Sequence, residues 1–252
     1  MKYLLLALFL YLVAILYLYL FQERLIFRTD LTPKDVPIPP EAQLLYIDGL
    51  EVGLIDRDSD TTIFYFGGNA NNALEALWLF KDLPYNIVTF NYPGYGRSHG
   101  EPSQEAILNA ARKIFERFKA RRNIVIGRSL GSGVAGYIAA NYPVQGVILI
   151  TPYHSLSHLA KLRYPFFPVN LLLRHPFPLY RWIEGVSAPV YVILAERDDT
   201  TPPKTIQKLL PHIKNLQKIV TIEGSEHANI LQFEKTKKVI EEFIRSALGA
   251  GD

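Results

Sequence analysis

The 252-residue sequence has no cysteine and little excess charge. Without cysteine the chain has no disulfides, thiolate metal sites or cysteine nucleophiles, and its redox compartment stays undetermined. Lys and Arg number 27 against 24 Asp and Glu, a formal net charge of +3. No basic stripe interleaved with aromatic residues is present, so the charge does not predict nucleic-acid binding. The length fits one large domain or two small ones, with a substantial core.

A long apolar run is present at the N-terminus. Tyr3 to Phe21 are nineteen residues without charge, amide or proline. As a helix at about 1.5 Å per residue they approach 30 Å, the thickness of the hydrocarbon core of a bilayer. A cleaved signal peptide needs a shorter apolar region and small residues at the cut. Residues 1–21 are therefore predicted to form an uncleaved single-pass membrane anchor that contacts the bilayer through residues 3–21.

The segment after the anchor is polar and rich in proline. Residues 22–43 include TPKDVPIPPEAQ, which is typical of a spacer and is predicted to be a juxtamembrane linker. Positive charge lies on both sides of the anchor. Lys2 and the amino terminus precede it, and Arg24, Arg28 and Lys34 follow it. The positive-inside rule favours a cytoplasmic position for the remaining chain only slightly.

Residues 44–252 alternate short β-type runs with helical patterns, as expected of one domain. The predicted strands are Leu44–Ile47, Leu50–Ile55, Thr62–Phe66, Asn86–Phe90, Ile124–Gly127, Gly146–Ile150, Val190–Leu194 and Ile219–Ile222. The predicted helices are Ala70–Lys81, Ser103–Ala120, Leu130–Asn141, Pro203–Leu210 and Ile230–Leu248. Early strands close in sequence indicate an antiparallel edge, and later strands separated by helices require parallel crossovers. The pattern predicts an open, mostly parallel α/β sheet.

One strand-to-helix turn carries the pentapeptide Gly127-Arg128-Ser129-Leu130-Gly131. An apolar strand precedes it and a helical pattern follows, so Ser129 is predicted at the carboxyl end of the sheet, where sites form. Glycine allows a sharp turn and close helix–strand packing. The alternative is a glycine-rich turn that holds a serine by chance. The context favours a nucleophile.

Partners for a serine nucleophile follow two later strands. Asp198 and Asp199 come after Val190–Leu194, and His227 lies in the loop before the last helix. A serine hydroxyl needs a base, and the base needs a group that orients it. Three loops at three strand ends, in the order Ser, Asp, His, indicate a catalytic triad.

Five motifs together resemble the α/β-hydrolase superfamily, and specifically its membrane-anchored serine hydrolases. They are FGGNANN (66–72), NYPGYGRSHGEPSQE (91–105), GRSLGSG (127–133), ERDDTTP (196–202) and GSEHAN (224–229). The resemblance implies the α/β-hydrolase fold, with an eight-stranded, mostly parallel sheet flanked by helices. It also implies an acyl-transfer hydrolase that needs no metal or organic cofactor.

The resemblance assigns a catalytic role to each member of the triad. Ser129 is the nucleophile, His227 the general base and then general acid, and Asp198 the residue that orients the imidazole. Asp198 is preferred over Asp199 because the family's aspartate stands four residues before a proline, as Asp198 does before Pro202.

The resemblance also implies an oxyanion hole. One donor is the backbone N–H of Leu130, and the second comes from the loop after the third strand. Asn69 is the predicted second donor, with Gly68 and Ala70 as alternatives. Gly67 occupies the place of the family's usual histidine, which brings the rigidity of this loop into question.

A short lid is predicted at about residues 153–187, between two strands. It is rich in Phe, Leu, Tyr and Pro, and its predicted substrate contacts are Phe166, Phe167 and Leu171. Basic residues lie among these apolar ones, a pattern that suits an anionic membrane surface or a cleft for acyl chains. Ordinary packing of the lid onto the sheet is the alternative. His154 and His158, at the start of the lid, are expected on the surface or in supporting positions.

These features predict a membrane-anchored serine carboxylic ester hydrolase acting on short- to medium-chain or lipid-like acyl esters through an acyl-enzyme. The enzymatic alternatives are an acyl-protein thioesterase, which the anchored relatives suggest, and a serine peptidase. A catalytically silent binding scaffold is the non-enzymatic alternative, although a binding module has no need of a complete triad. The sequence indicates no nucleic-acid partner and no obligate protein partner.

Overall fold

A computed structural model describes residues 1–249, and within them eight strands form one sheet. The strands are β1 Gln43–Ile47, β2 Leu50–Ile55, β3 Thr61–Phe66, β4 Asn86–Phe90, β5 Arg122–Arg128, β6 Gly146–Ile150, β7 Val190–Arg197 and β8 Leu216–Glu226. Their order is β1-β2-β4-β3-β5-β6-β7-β8. The β1–β2 and β2–β4 pairs are antiparallel, and the remaining pairs are parallel. The predicted mostly parallel sheet with an antiparallel edge is confirmed.

Helices cover both faces of this sheet. The helices are α1 Lys2–Leu20, α2 Gln22–Ile26, α3 Leu77–Phe80, α4 Gln104–Phe118, α5 Leu130–Asn141, α6 Leu156–Arg163, α7 Val169–Leu172, α8 Leu179–Glu184, α9 Pro203–Leu209 and α10 Glu234–Ala247. Helices α4, α5 and α8 pack on one face, and α3 and α10 pack on the other. Helix α4 begins at an N-cap, since the Ser103 hydroxyl accepts a hydrogen bond from the Ala106 N–H over 3.0 Å.

The central strands are buried on both faces, which is why they read as continuous apolar runs. In β3, Phe64 and Phe66 belong to one core cluster, while Ile63 and Tyr65 belong to the other. All four side chains are almost fully buried. The loops that follow the parallel strands lie together at the carboxyl edge of this sheet.

The helix predicted over Ala70–Lys81 is much shorter in the structure. A 3₁₀ turn covers Ala73–Ala76 and α3 continues it to Phe80. Ala70 has a left-handed φ of 62°, which excludes it from a helix. The Asn72 side chain accepts a hydrogen bond from the Leu74 N–H over 3.1 Å and so fixes the start of the turn.

The N-terminal segment is partly packed onto the domain. No residue of α1 is buried, and the helix has a mean hydropathy of 2.5, long and apolar enough to cross a membrane. The next residues differ from the predicted spacer, because Gln22, Phe27 and Thr32 are all buried. The Phe27 ring lies 5.2 Å from the ring of His175. Part of the predicted linker therefore belongs to the packed structure. Residues 250–252, the end of the predicted domain, lie outside the described residues.

Candidate active site

Ser129 lies on a strained turn between β5 and α5. Its backbone has φ 50° and ψ −118°, a conformation that costs a non-glycine residue free energy. The turn is tight because a Cβ on Gly127 would lie 2.2 Å from the Gly131 carbonyl oxygen, and one on Gly131 would lie 2.1 Å from that of Phe66. Glycine is therefore required at both positions. The strained turn holds the serine at the carboxyl edge of the sheet.

The three predicted triad side chains form one hydrogen-bonded chain. His227 Nε2 lies 2.8 Å from Ser129 Oγ. On the other side of the ring, His227 Nδ1 lies 2.9 Å from Asp198 Oδ2 and 3.0 Å from Oδ1. In this geometry a neutral imidazole that donates through Nδ1 accepts the serine hydroxyl proton at Nε2.

Asp198 is held by further donors in its own loop. The Thr201 N–H and the Thr200 N–H donate to Oδ1 over 2.7 and 3.0 Å, and the Thr201 hydroxyl donates to Oδ2 over 2.8 Å. Burial alone would raise the pKa of Asp198, but the hydrogen bonds and charge of His227 and the Thr201 donors outweigh it and lower the pKa. Asp199 is exposed and its carboxylate accepts from the Thr200 hydroxyl over 3.2 Å. The structure thus brings Asp198, and not Asp199, to the histidine.

The loop after β3 lies beside the serine, where the second oxyanion donor was predicted. Asn69, Ser129 and Leu130 line the same cleft. The Leu130 N–H belongs to the first turn of α5, whose N–H groups have no partner within the helix. The Ala70 N–H donates to Asn69 Oδ1 over 3.1 Å. Of the three donors left open by the sequence, Ala70 is therefore engaged elsewhere, while Gly68 and Asn69 remain.

Two tyrosines and the N-terminal segment fix this loop. The Tyr92 hydroxyl donates to the Gly67 carbonyl oxygen over 2.9 Å, and the Tyr95 hydroxyl donates to Asn69 Oδ1 over 2.7 Å. The Arg28 N–H donates to the same oxygen over 2.9 Å, and Asn69 Nδ2 donates to the Ile26 carbonyl oxygen. These bonds hold the loop in place although position 67 is a glycine.

Arg128, the residue before the nucleophile, supports two loops of the site. Its side chain is only 5% exposed. Its guanidinium donates to Asn71 Oδ1 over 2.9 Å, and to the carbonyl oxygens of His227 and Ala228 over 2.8 and 3.1 Å. Arg128 thus connects the loop that carries the histidine to the loop after β3. The sequence around position 128 does not identify these partners, because all three lie far from Arg128 along the chain.

A cleft of about 580 Å³ leads to Ser129. Its walls come from α2, from α6 and from the rest of the lid, and they include Leu25, Ile26, Leu156, Leu159, Ala160 and Leu173. Two of the predicted lid contacts lie elsewhere, since Phe166 and Leu171 are 85% exposed at the outer end of the lid. Phe167 lines a second, narrow cavity between the lid and the N-terminal helices.

His154 and His158 support the lid and lie outside the hydrogen-bonded triad. His154 is buried and stacks on Tyr180, with ring centroids 4.2 Å apart. Burial, followed by the charge of Lys208, lowers the pKa of His154 to about 4. Within residues 1–249 no group of three or more His, Asp and Glu side chains is arranged to hold a metal ion.

Known proteins are similar to this chain in sequence. A family described as alpha/beta hydrolase fold matches residues 66–183. Lysophosphatidylserine lipase ABHD12 of Macaca fascicularis is 27% identical over a 199-residue alignment that covers 66% of this chain and 47% of that protein. The matched region thus spans about half the length of that relative.

Solved structures share the fold over most of the chain. Pyrococcus furiosus esterase Pf2001 has a TM-score of 0.69 at 17% identity, covering 86% of this chain and 97% of its own. A membrane phospholipase A, described as a bacterial virulence factor, has a TM-score of 0.64 at 17% identity. That similarity covers 98% of this chain and 99% of the phospholipase. At these identities the likeness shows the fold alone.

Proposed function

The chain belongs to the α/β-hydrolase superfamily, and we propose that it is a membrane-anchored serine carboxylic ester hydrolase. Its substrates are short- to medium-chain or lipid-like acyl esters, cleaved through an acyl-enzyme. The main observation that supports this proposal is the hydrogen-bonded arrangement of Asp198, His227 and Ser129. The sequence similarity to a lysophosphatidylserine lipase supports ester or lipid hydrolysis as the reaction class.

Each of the three triad residues has a defined role in the proposed reaction. Ser129 Oγ attacks the acyl carbonyl carbon while His227 Nε2 takes the hydroxyl proton. Asp198 keeps the proton of the imidazole on Nδ1 and stabilises the imidazolium that forms. The tetrahedral intermediate collapses, and His227 returns the proton to the leaving alcohol. Water, activated by the same histidine, then hydrolyses the acyl-enzyme and releases the carboxylic acid.

The oxyanion of the tetrahedral intermediate needs donors that are already in place. We assign this role to the backbone N–H groups of Leu130 and Asn69. The Asn69 side chain accepts hydrogen bonds from the Arg28 N–H and the Tyr95 hydroxyl and donates one to the Ile26 carbonyl oxygen, and these bonds hold the residue beside the nucleophile. Donors held in advance stabilise developing charge without reorganising during the reaction.

The substrate class follows from the walls of the cleft and from the anchor. Leucine and isoleucine side chains from the lid and from α2 surround the approach to Ser129, a surface that suits an acyl chain. Arg163 lies on the same wall and offers positive charge to an anionic head group. We propose that helix α1 anchors the enzyme in the bilayer, and the weak charge bias of the sequence favours a cytoplasmic catalytic domain only slightly. An amphiphilic ester therefore fits better than a polar peptide.

A panel of substrates tests this assignment. We expect p-nitrophenyl esters of graded chain length to be turned over with higher kcat/KM than an acyl-CoA thioester or a peptide p-nitroanilide. The Ser129→Ala protein supplies the background rate for each substrate. A higher kcat/KM for the thioester would indicate an acyl thioesterase, and a higher value for the anilide would indicate a peptidase.

A further inference from the structure

One face of the anchor helix is occupied by the lid. Within α1 only Ala14, Ile15 and Leu18 are half-buried, and the other residues are exposed. With Tyr11 and Gln22 on either side, these positions recur every three or four residues and form one stripe of the helix. The sequence of α1 is apolar all round and does not distinguish this face. The contacts that α1 makes with the domain show which residues form this stripe.

The lid reaches about half-way along α1. The Tyr11 hydroxyl donates to the Phe166 carbonyl oxygen over 2.8 Å, and its ring stacks on Phe167 with centroids 5.6 Å apart. Tyr11 lies nine residues before Leu20, the last residue of α1, so the contact is about 14 Å along the helix from its end. If α1 crosses a bilayer with a hydrocarbon core of about 30 Å, the lid enters the same leaflet beside it.

The lid tip, residues 164–171, suits such an environment. Phe166 and Leu171 are 85% exposed there, and Pro165 and Pro168 have no backbone N–H to satisfy. The Phe167 N–H donates to the Tyr164 carbonyl oxygen over 3.2 Å, and Tyr11 satisfies the Phe166 carbonyl. Internal pairing of this kind is what an apolar medium demands of a backbone.

An apolar seam runs between the stripe and the lid. This seam is a narrow cavity of about 90 Å³ bounded by α1 and α2 on one side and the lid on the other. It adjoins the catalytic cleft, and the two share Leu25, Ile26, Ala160, Tyr164 and Leu173 as lining residues. The seam also extends to Leu18, within the membrane anchor itself. A path lined by apolar side chains thus joins the transmembrane helix to the surroundings of Ser129.

Gln22 contributes the single amide side chain in the lining of the seam, and its N–H groups and carbonyl oxygen are all hydrogen-bonded. Gln22 Nε2 donates to the carbonyl oxygens of Leu172 and Tyr19 over 3.1 and 3.0 Å, and Gln22 Oε1 accepts from the Arg174 N–H over 2.8 Å. The Arg174 guanidinium in turn pairs with Glu23 over 2.7 Å. These bonds fasten the lid to α2 at the polar end and leave the seam itself without a free amide.

We infer that the seam is the binding and access site for the acyl chain of an ester that resides in the bilayer. The chain enters laterally, between α1 and the lid, and brings the ester carbonyl to Ser129 without leaving an apolar environment. Hydrocarbon is the chemistry that such a surface recognises, because apolar side chains make up nearly all of its lining. The inference rests on the proposed function and adds the route by which its substrate arrives.

The test changes the width of the seam at Leu18, which lines the seam and not the catalytic cleft. Full-length protein is reconstituted in phosphatidylcholine vesicles. For each variant, kcat/KM is measured on p-nitrophenyl palmitate in the vesicles and on p-nitrophenyl butyrate in solution. Leu18→Trp fills the seam, and the ratio of palmitate to butyrate kcat/KM should fall at least tenfold. Leu16→Trp is the matched control, because Leu16 is 55% exposed on the opposite face of the helix, and its ratio should equal that of the wild type.

Leu18→Ala gives a second measurement that does not depend on fitting a tryptophan. It widens the seam, so the preferred chain length among vesicle-embedded esters should increase. Equal palmitate-to-butyrate ratios in Leu18→Trp, Leu16→Trp and wild type, or an unchanged chain-length profile in Leu18→Ala, would overturn the inference. A wild-type protein that hydrolyses neither ester would instead overturn the proposed function on which the inference rests.

Discussion

The backbone N–H of Arg28 donates a hydrogen bond to Asn69 Oδ1 over 2.9 Å. This bond joins the segment next to the membrane anchor to the loop that lies beside the nucleophile. Asn69 returns a hydrogen bond to the Ile26 carbonyl oxygen, so the loop and the segment hold each other at two points. The position of Asn69, the proposed oxyanion donor, therefore depends on residues that precede the first strand.

The Arg28–Asn69 bond can be removed without changing much else. Arg28 has φ −88° and Phe27 before it is extended, so proline fits at position 28 while deleting the N–H. Arg28→Pro should lower kcat for a soluble ester about tenfold and change KM less, because a displaced oxyanion donor acts on the transition state. Arg28→Ala loses the same side chain, keeps the N–H and should retain near wild-type kcat. Equal kcat in both variants would show that the bond has no catalytic consequence.

Truncation should distinguish the contribution of the anchor from that of the segment that follows it. A protein starting at Gln22 keeps the residues that contact Asn69, so it should hydrolyse soluble short-chain esters with kcat/KM within a few-fold of the full chain. On vesicle-embedded esters it should do worse, because tethering raises the local concentration of the enzyme at the surface. Kinetics on both substrates check this expectation. Equal rates of the two proteins on vesicles would show that the anchor does not assist access to the substrate.

The same substitution at Asp198 and at the adjacent Asp199 provides a matched comparison. Asp198→Asn should lower kcat about 10³- to 10⁴-fold, because the imidazole loses its orienting charge and its preferred tautomer. Asp199→Asn should cost less than about threefold, since Asp199 is exposed and contacts Thr200. Steady-state kinetics on one ester suffice. The reverse order of effects would assign the acid of the triad to Asp199.

Arg128 should matter for both stability and turnover. Arg128→Met keeps most of the packed side chain but leaves the carbonyl oxygens of His227 and Ala228 without their donor. The free energy of unfolding should fall by about 1–3 kcal/mol, and kcat should fall with it because the histidine loop loses its support. Denaturant unfolding and ester kinetics measure the two effects. Arg117→Met, an exposed position on α4, is the control and should change neither.

His154 should make the fold sensitive to mild acid. Its pKa is about 4 in the folded protein, against an ordinary value of about 6.5, so between these pH values the unfolded chain binds a proton that the folded chain does not. The free energy of unfolding should therefore fall as the pH drops from 6.5 to 4. In His154→Phe this fall should be smaller, whereas His99→Phe, at an exposed position, should retain it. Denaturant titrations at pH 6.5, 5.5 and 4.5 provide the comparison.

The sequence predicted the sheet and the proximity of the three triad residues, because both follow from local patterns. Mainly apolar runs of four to six residues mark the strands, and in a parallel sheet the loops after those strands meet at one edge. Ser129, Asp198 and His227 each follow such a run. The choice of Asp198 rested on its spacing from Pro202, and in the structure Asp198 is the carboxylate that contacts the histidine.

The parts that sequence could not predict depend on contacts between distant residues. The polar segment containing Arg28 resembles a spacer until the structure shows its backbone bound to Asn69. Phe166 and Leu171 are apolar lid residues, as expected of substrate contacts, but the fold of the lid points them outward. Composition specifies that a lid residue is apolar and leaves open whether it faces the cleft or the bilayer.

The proposed reaction requires Ser129 to form a covalent acyl-enzyme. To test this, the full-length protein is reacted with a fluorophosphonate, the adduct is mapped by peptide mass spectrometry, and ester turnover of Ser129→Ala is measured. We expect one adduct, on Ser129. We also expect Ser129→Ala to lose both labelling and turnover while its circular dichroism remains that of the wild type. An adduct on another residue, or substantial turnover by a folded Ser129→Ala protein, would show that Ser129 is not the nucleophile.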